Sequence, residues 1–162
     1  MSKRYSPSDA DSERQQSPSV RVLIVDDHEP WRRWVYSELA SQQQLQVVGE
    51  ASDGLEGVRK AQELKPDIIL LDIGLPSLNG LDAAKRMAHD TPDSKILFLT
   101  SQIDPDVTKQ SLSNGASGYL LKAYAGTELL TAIAAAVQGH RFVSRGVAIQ
   151  FDACDAWASR RH

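Results

Sequence analysis

The sequence predicts an α/β fold: a parallel sheet of five strands with helices packed on both of its faces. Three observations carry the prediction. Five short runs rich in Val, Ile and Leu, "VRVLIV", "LQVVGE", "DIILLD", "KILFLT" and "GYLL", recur from Val20 onward with little polar alternation, as strands covered on both faces do. Stretches with helical spacing separate them. The two kinds of segment alternate strictly, and parallel neighbours need such crossover connections.

Taken in order, the first run leads to a helix with Trp31, Trp34, Val35 and Leu39 on one stripe and Pro30 near its start. Aromatic residues at this spacing are read as helix packing rather than as a partner surface. After the second run, Asp53 is placed to cap a helix whose apolar positions are Leu55, Val58, Ala61 and Leu64. The third run is followed by Leu81, Ala84 and Ala88. The fourth leads to a polar, weakly patterned stretch around residues 105–113, opened by Pro105. Leu129, Ile133 and Val137 follow the fifth, and Gly139 stands where a helix would stop. Residues 1–19 are Ser, Pro, Gln and charge, the composition of a disordered tail. Residues 20–144 make one domain, and the tail 145–162 has apolar residues without a clean period, so no fold is assigned to it.

Composition narrows the function classes. With 162 residues, 41 % hydrophobic and 24 % charged, the chain suits one globular domain. A net charge of −3 supplies no broad basic surface for a phosphate backbone, so direct DNA binding by this chain is not expected. The single cysteine, Cys154, cannot form an internal disulfide and has no His placed to activate it. No secretory signal and no membrane-spanning apolar run are visible, and a cytoplasmic location is expected.

The chemistry lies at the strand ends. "IILLDIGLP" carries Asp72 at the close of an apolar run, where an unpaired charge is costly to bury. The first run closes on Asp26 and Asp27, the fourth on Thr100, and Lys122 follows the fifth. In an open parallel sheet, ligands collect outside the C-terminal ends of the strands. Each residue alone reads as a turn, a strand end or a solvated charge. Together they place three carboxylates, a hydroxyl and an amine on one edge. Carboxylates about 4 Å apart repel by roughly 4 kcal/mol at an effective dielectric near 20, so the cluster calls for a cation. Oxygen donors suit Mg²⁺, which shares its shell with phosphate.

From about Arg21 to Gly139 the chain resembles the receiver domain of two-component response regulators, on Asp26, Asp27, Asp72, Thr100 and Lys122 in that order. "LDIGLPSLNG" and "NGASGYLLK" are similar to the branch that carries a C-terminal helix-turn-helix. The resemblance implies a flavodoxin-like, doubly wound sheet of strand order 2-1-3-4-5. It implies a phosphoryl group accepted by Asp72 from a histidine kinase or phosphotransfer protein, the domain catalysing its own phosphorylation and dephosphorylation. Mg²⁺ would be held by Asp27, Asp72 and the backbone carbonyl of Gly74, with Asp26 acting through a coordinated water. Thr100 and Lys122 would meet the phosphoryl oxygens. Thr100 and Tyr119 would form the switch, Tyr119 moving inward as Thr100 moves, so as to change a face made by the fourth helix, fifth strand and fifth helix. An output partner or a second copy of the chain would bind there.

Two departures from the family pattern stand out. Ala123 follows the lysine where many receivers have Pro, so a cis bond is not expected. Only 23 residues follow Gly139, too few for a helix-turn-helix. The chain is expected to be a stand-alone receiver or the receiver fragment of a DNA-binding regulator. A phosphohydrolase of the haloacid-dehalogenase type fits poorly, because it needs a second Asp where Gly74 stands.

Overall fold

The structure, a computed structural model, describes residues 19–145. The two expected tails lie almost wholly outside them. In chain order the elements are β1 (Val20–Val25), α1 (Glu29–Ala40), β2 (Leu45–Ala51), α2 (Gly54–Leu64), β3 (Ile68–Asp72) and α3 (Gly80–Asp90). There follow β4 (Lys95–Thr100), α4 (Pro105–Ser113), β5 (Gly118–Leu121), a 3₁₀ turn (Lys122–Tyr124), α5 (Ala125–Val137) and β6 (Phe142–Val143). All pairings are parallel, in the order β2-β1-β3-β4-β5-β6.

Successive strand residues point to opposite faces, and both faces are apolar. Leu23, Val25, Ile69, Leu71, Phe98 and Tyr119 enter a core under α2, α3 and α4. Val22, Ile24, Ile68, Leu70, Leu97 and Leu99 enter a second core under α1 and α5. Every residue of β3 is buried, which is why its sequence reads as one apolar run.

The expected cap at Asp53 forms, accepting from the Glu56 N–H, and two further caps appear: Asn79 accepts from the Asp82 N–H, and Asp104 from those of Asp106 and Val107. Each replacement by Ala would cost about 1 kcal/mol. α4 is polar yet packs inward. Thr108 Oγ1 donates to the Asp104 carbonyl at 2.8 Å and Ser111 Oγ to Val107 at 2.7 Å, so both hydroxyls are satisfied within the helix and can be buried.

Three helix stripes differ from the expectation at their margins. Leu55, Ala88 and Val137 are exposed, and Gly57, Met87 and Ala136 lie inside. At Gly57 a Cβ would stand 2.8 Å from Val25 Cγ1, so the helix approaches the sheet through a residue that hydropathy does not mark.

β6 corrects the expected five strands to six. Phe142 N–H donates to Ser117 and Ser144 N–H to Tyr119, at 3.0 and 2.8 Å. Glu128 on α5 fastens the segment: Ser144 Oγ and the Arg145 N–H both donate to its carboxylate. Arg141 Nη2 reaches the Leu112 carbonyl on α4 at 3.2 Å. The edge of β5 is thus covered by the chain itself. Among the described residues no helix is long and apolar enough to cross a membrane.

Candidate functional site

Strand order reverses between β1 and β3, whose crossovers run to opposite sides, and that switch point is where an α/β sheet opens a crevice. Asp26 and Asp27 leave β1 there, and Asp72 closes β3. Asp26 is 1 % exposed and Asp72 8 %, while Asp27 faces solvent. One carboxylate oxygen from each lies within 4.8 Å of the others. Lys122, in the 3₁₀ turn after β5, brings its Nζ to 2.6 Å from Asp26 Oδ2 and 3.9 Å from Asp72 Oδ1. No described peptide bond is cis, including Lys122 to Ala123.

Asp26 is held from several sides. Its Oδ1 accepts from the His28 N–H at 2.8 Å, and its carbonyl accepts from Arg32 Nη1 at 2.5 Å. Oδ2 meets the Lys122 ammonium at ion-pair distance without hydrogen-bond alignment. Asp72 carries the electrostatic strain of the pocket. Burial raises its pKa above the ordinary carboxylate value, and the Asp26 charge raises it further. The Lys122 ammonium and the Gly74 N–H counter this, and Asp27 adds to it. At 4.8 Å and an effective dielectric near 20, two carboxylates repel by about 3.5 kcal/mol. A buried acid group, a half-engaged oxygen and an all-oxygen donor set fit a small divalent cation, and these three aspartates could hold one.

The loop after Asp72 is fixed by Gly80 and Gly54 rather than by Gly74. A Cβ on Gly74 would meet nothing within 4 Å. On Gly80 it would stand 2.2 Å from the Asp72 carbonyl oxygen and 2.6 Å from Ile73 Cα. On Gly54 it would stand 1.8 Å from the Leu78 carbonyl oxygen. The Gly80 N–H donates to Ile73 at 2.8 Å and the Gly54 N–H to Pro76 at 3.3 Å, so the starts of α2 and α3 clamp the loop. Sequence reasoning missed both; their only signal was a place beside the capping residues Asp53 and Asn79.

Asp26, Asp27, Asp72 and Lys122 come together as expected from the sequence. The Thr100 hydroxyl does not join them, for it donates to the Gln102 carbonyl at 2.9 Å and accepts from the Gln102 N–H at 3.3 Å. The Tyr119 ring is fully buried, 6.3 Å from Phe98 between centroids. The phenol makes no hydrogen bond among the described residues. Burial pushes its pKa up, and the nearby Thr108 and Thr100 hydroxyls offset this in part.

The response regulator receiver domain family matches residues 22–134. The transcriptional regulatory protein LiaR of Bacillus subtilis is 44 % identical over 120 residues, 74 % of this chain and 57 % of that protein. The response regulator GacA of Pseudomonas viridiflava is 37 % identical over 131 residues, 81 % of this chain and 61 % of that protein. This chain thus spans about three fifths of the length of these relatives. Among solved structures, a LuxR-family two-component response regulator from Aurantimonas sp. superposes with a TM-score of 0.81 at 29 % identity, covering 85 % of this chain and 99 % of that one. The isolated receiver domain of RcsB from Salmonella enterica serovar Typhimurium, solved in the presence of the phosphomimetic BeF3−, gives 0.76 at 26 % identity, covering 80 % of this chain and 96 % of that one. With the acidic pocket at the switch point of a 2-1-3-4-5-6 sheet and a family match over residues 22–134, the chain belongs to the response regulator receiver domain family.

Proposed function

We propose that the chain is a phosphorylation-switched signalling module in which Asp72 accepts a phosphoryl group from a histidine kinase or a phosphotransfer protein. The observation that carries this reading is the Asp72 carboxylate itself, buried at a strand end between two other carboxylates and 3.9 Å from an ammonium group. A carboxylate oxygen of Asp72 attacks phosphorus, the phosphorus–nitrogen bond of the donor breaks, and the imidazole departs with a proton from solvent. The product is an acyl phosphate.

Asp27, Asp72 and the Gly74 carbonyl would hold Mg²⁺, with Asp26 acting through a water. The ion supplies neutralisation of phosphoryl charge. Lys122 stands within a side-chain movement of the same oxygens and balances the charge that arrives on Asp72. Thr100 acts by exchanging Gln102 for a phosphoryl oxygen, which releases the start of the loop into α4. That exchange would reach the outer face through α4 and β5, where Tyr119 lies buried beside Phe98. An output partner or a second copy of the chain would meet α4, α5 and the β6 segment there. The work is done in the cytoplasm, where such kinases deliver the group.

A second reading concerns the whole protein. The relatives matched include one named a transcriptional regulatory protein, and this chain spans 57 % of it. The receiver described here would then be the input half of a DNA-binding regulator, with the DNA contacts outside the described residues. The test of the main reading is labelling with phosphoramidate and Mg²⁺, read by intact mass. One phosphoryl group on the native chain and none on Asp72→Asn is the expected result; undiminished labelling of the variant overturns it.

A further inference from the structure

We infer that Trp31 is a positioning residue for phosphoryl transfer, its indole face holding the Lys122 ammonium over the acidic pocket. This rests on the reading of Asp72 as phosphoacceptor. Lys122 Nζ lies 5.2 Å from the centroid of the Trp31 ring, over its face. The same nitrogen touches Asp26 Oδ2 at 2.6 Å and Asp72 Oδ1 at 3.9 Å. These three contacts respond differently to the state of the site. The two ion pairs exist only while the carboxylates are unshared. A cation between the aspartates weakens their attraction for the ammonium. The indole is neutral and keeps its negative face whatever the pocket holds. It is the contact that keeps Lys122 in place when the other two weaken.

The ring is built to hold that position. Trp31 lies in the first turn of α1, after Pro30, four residues beyond Asp27. It stacks against Trp34 at 5.1 Å between centroids, tilted by 33°. Both rings pack on the core cluster formed with α5, the helix that follows the Lys122 turn. Trp31 Nε1 is buried and has no hydrogen-bond partner among the described residues. A ring wanted only for core packing would be served by Phe or Leu without that orphaned donor. The Lys122 side chain is 15 % exposed, so the contact is largely shielded from water, where a cation over indole is worth more than at the open surface.

The experiment uses the full chain with phosphoramidate and Mg²⁺, comparing the native protein with Trp31→Phe, which keeps an aromatic face, and Trp31→Leu, which keeps only apolar bulk. The rate of labelling should fall about fivefold in Trp31→Leu and stay within about twofold in Trp31→Phe, an order-of-magnitude expectation for a shielded cation–π contact. In the native protein the Hε protons of Lys122 should show an upfield ring-current shift in NMR that Trp31→Leu abolishes and Trp31→Phe retains in part. Equal rates for the Phe and Leu variants overturn the inference while leaving Asp72 as acceptor. Absence of the upfield shift in the native chain overturns it without any variant having to fold. A native chain that takes no phosphoryl group at Asp72 overturns the acceptor reading and the role of Trp31 with it.

Discussion

Replacing Asp72 with Asn should stabilise the protein when no divalent cation is present. In the folded chain the Asp72 charge faces Asp26 and Asp27, with ligand oxygens within 4.8 Å, and Lys122 at 3.9 Å. At an effective dielectric near 20 the repulsion from Asp26 is about 3.5 kcal/mol and the attraction of Lys122 about 4 kcal/mol, so these two nearly cancel. What remains is the cost of burying the carboxylate, plus a screened contribution from exposed Asp27. A net gain on the order of 1–2 kcal/mol follows for the neutral amide, which keeps the shape of the side chain and leaves Lys122 paired with Asp26. For a domain of this size that raises the melting temperature by about 4–8 °C. Asp72 has a folded pKa raised above its unfolded value. Its protonated form therefore favours folding below the ordinary carboxylate range, and this benefit is lost as pH rises through the raised value. The advantage of Asp72→Asn should accordingly be full at pH 7.5 and vanish under acid conditions. Saturating Mg²⁺ should reverse the order, since a cation at a hundred times its dissociation constant stabilises the native chain by about 2.7 kcal/mol. The assay is thermal unfolding by circular dichroism in chelator, at pH 7.5 and pH 4, then with Mg²⁺. A variant that melts at or below the native chain at pH 7.5 in chelator, or a difference that persists unchanged at pH 4, refutes the reasoning.

Two further outcomes follow from the packing. Gly80→Ala drives a Cβ into the Asp72 carbonyl and the Ile73 backbone; it should cost about 2–4 kcal/mol by urea unfolding and slow labelling at Asp72, whereas Gly74→Ala, with open space around it, should be nearly silent in stability. Glu128→Gln keeps the side chain's shape but weakens the bonds from Ser144 and Arg145; amide exchange at Ser144, whose N–H donates to Tyr119, should quicken about fivefold to tenfold while strand β3 keeps its protection. Unchanged exchange there would mean that the segment is held by β5 pairing alone.

How much of this was legible in the sequence depends on whether a residue's role is local. The five strands were legible because both sheet faces are buried, which forces nearly every position of β1, β3, β4 and β5 to be apolar. Asp53 and Pro105 marked helix starts because a cap acts within three residues of itself. β6 left no such trace. Two residues cannot show a period, and what holds them is Glu128 together with Ser117 and Tyr119 from β5 and its approach, all remote in sequence. α4 looked weak because its inward hydroxyls are satisfied by their own helix, which hydropathy counts as polar. Gly54 and Gly80 were invisible for a related reason: the demand for a missing Cβ comes from Leu78 and Asp72 backbone atoms that only the folded loop brings near.

The site divides along the same line. Asp26, Asp72 and Lys122 stood out because a charge at the end of an apolar run has no reason of its own to be there, so the anomaly points to a partner. Trp31 raised no anomaly, since an aromatic ring on an amphipathic helix is what core packing supplies in any case. Its contact with Lys122 arises because α1 starts beside the β1 aspartates and the 3₁₀ turn ends β5 two strands beyond β3 on the same sheet edge. Tyr119 illustrates the remaining gap. Its position in the strand follows from the sequence, but which way its ring points depends on Phe98 and on the core it shares with α4, both remote in sequence. The Thr100 hydroxyl is held by two bonds to the backbone of Gln102 at the entrance to α4. A phosphoryl oxygen that competes for that hydroxyl has to outbid only neutral hydrogen bonds, and a charge-assisted one is about twice as strong.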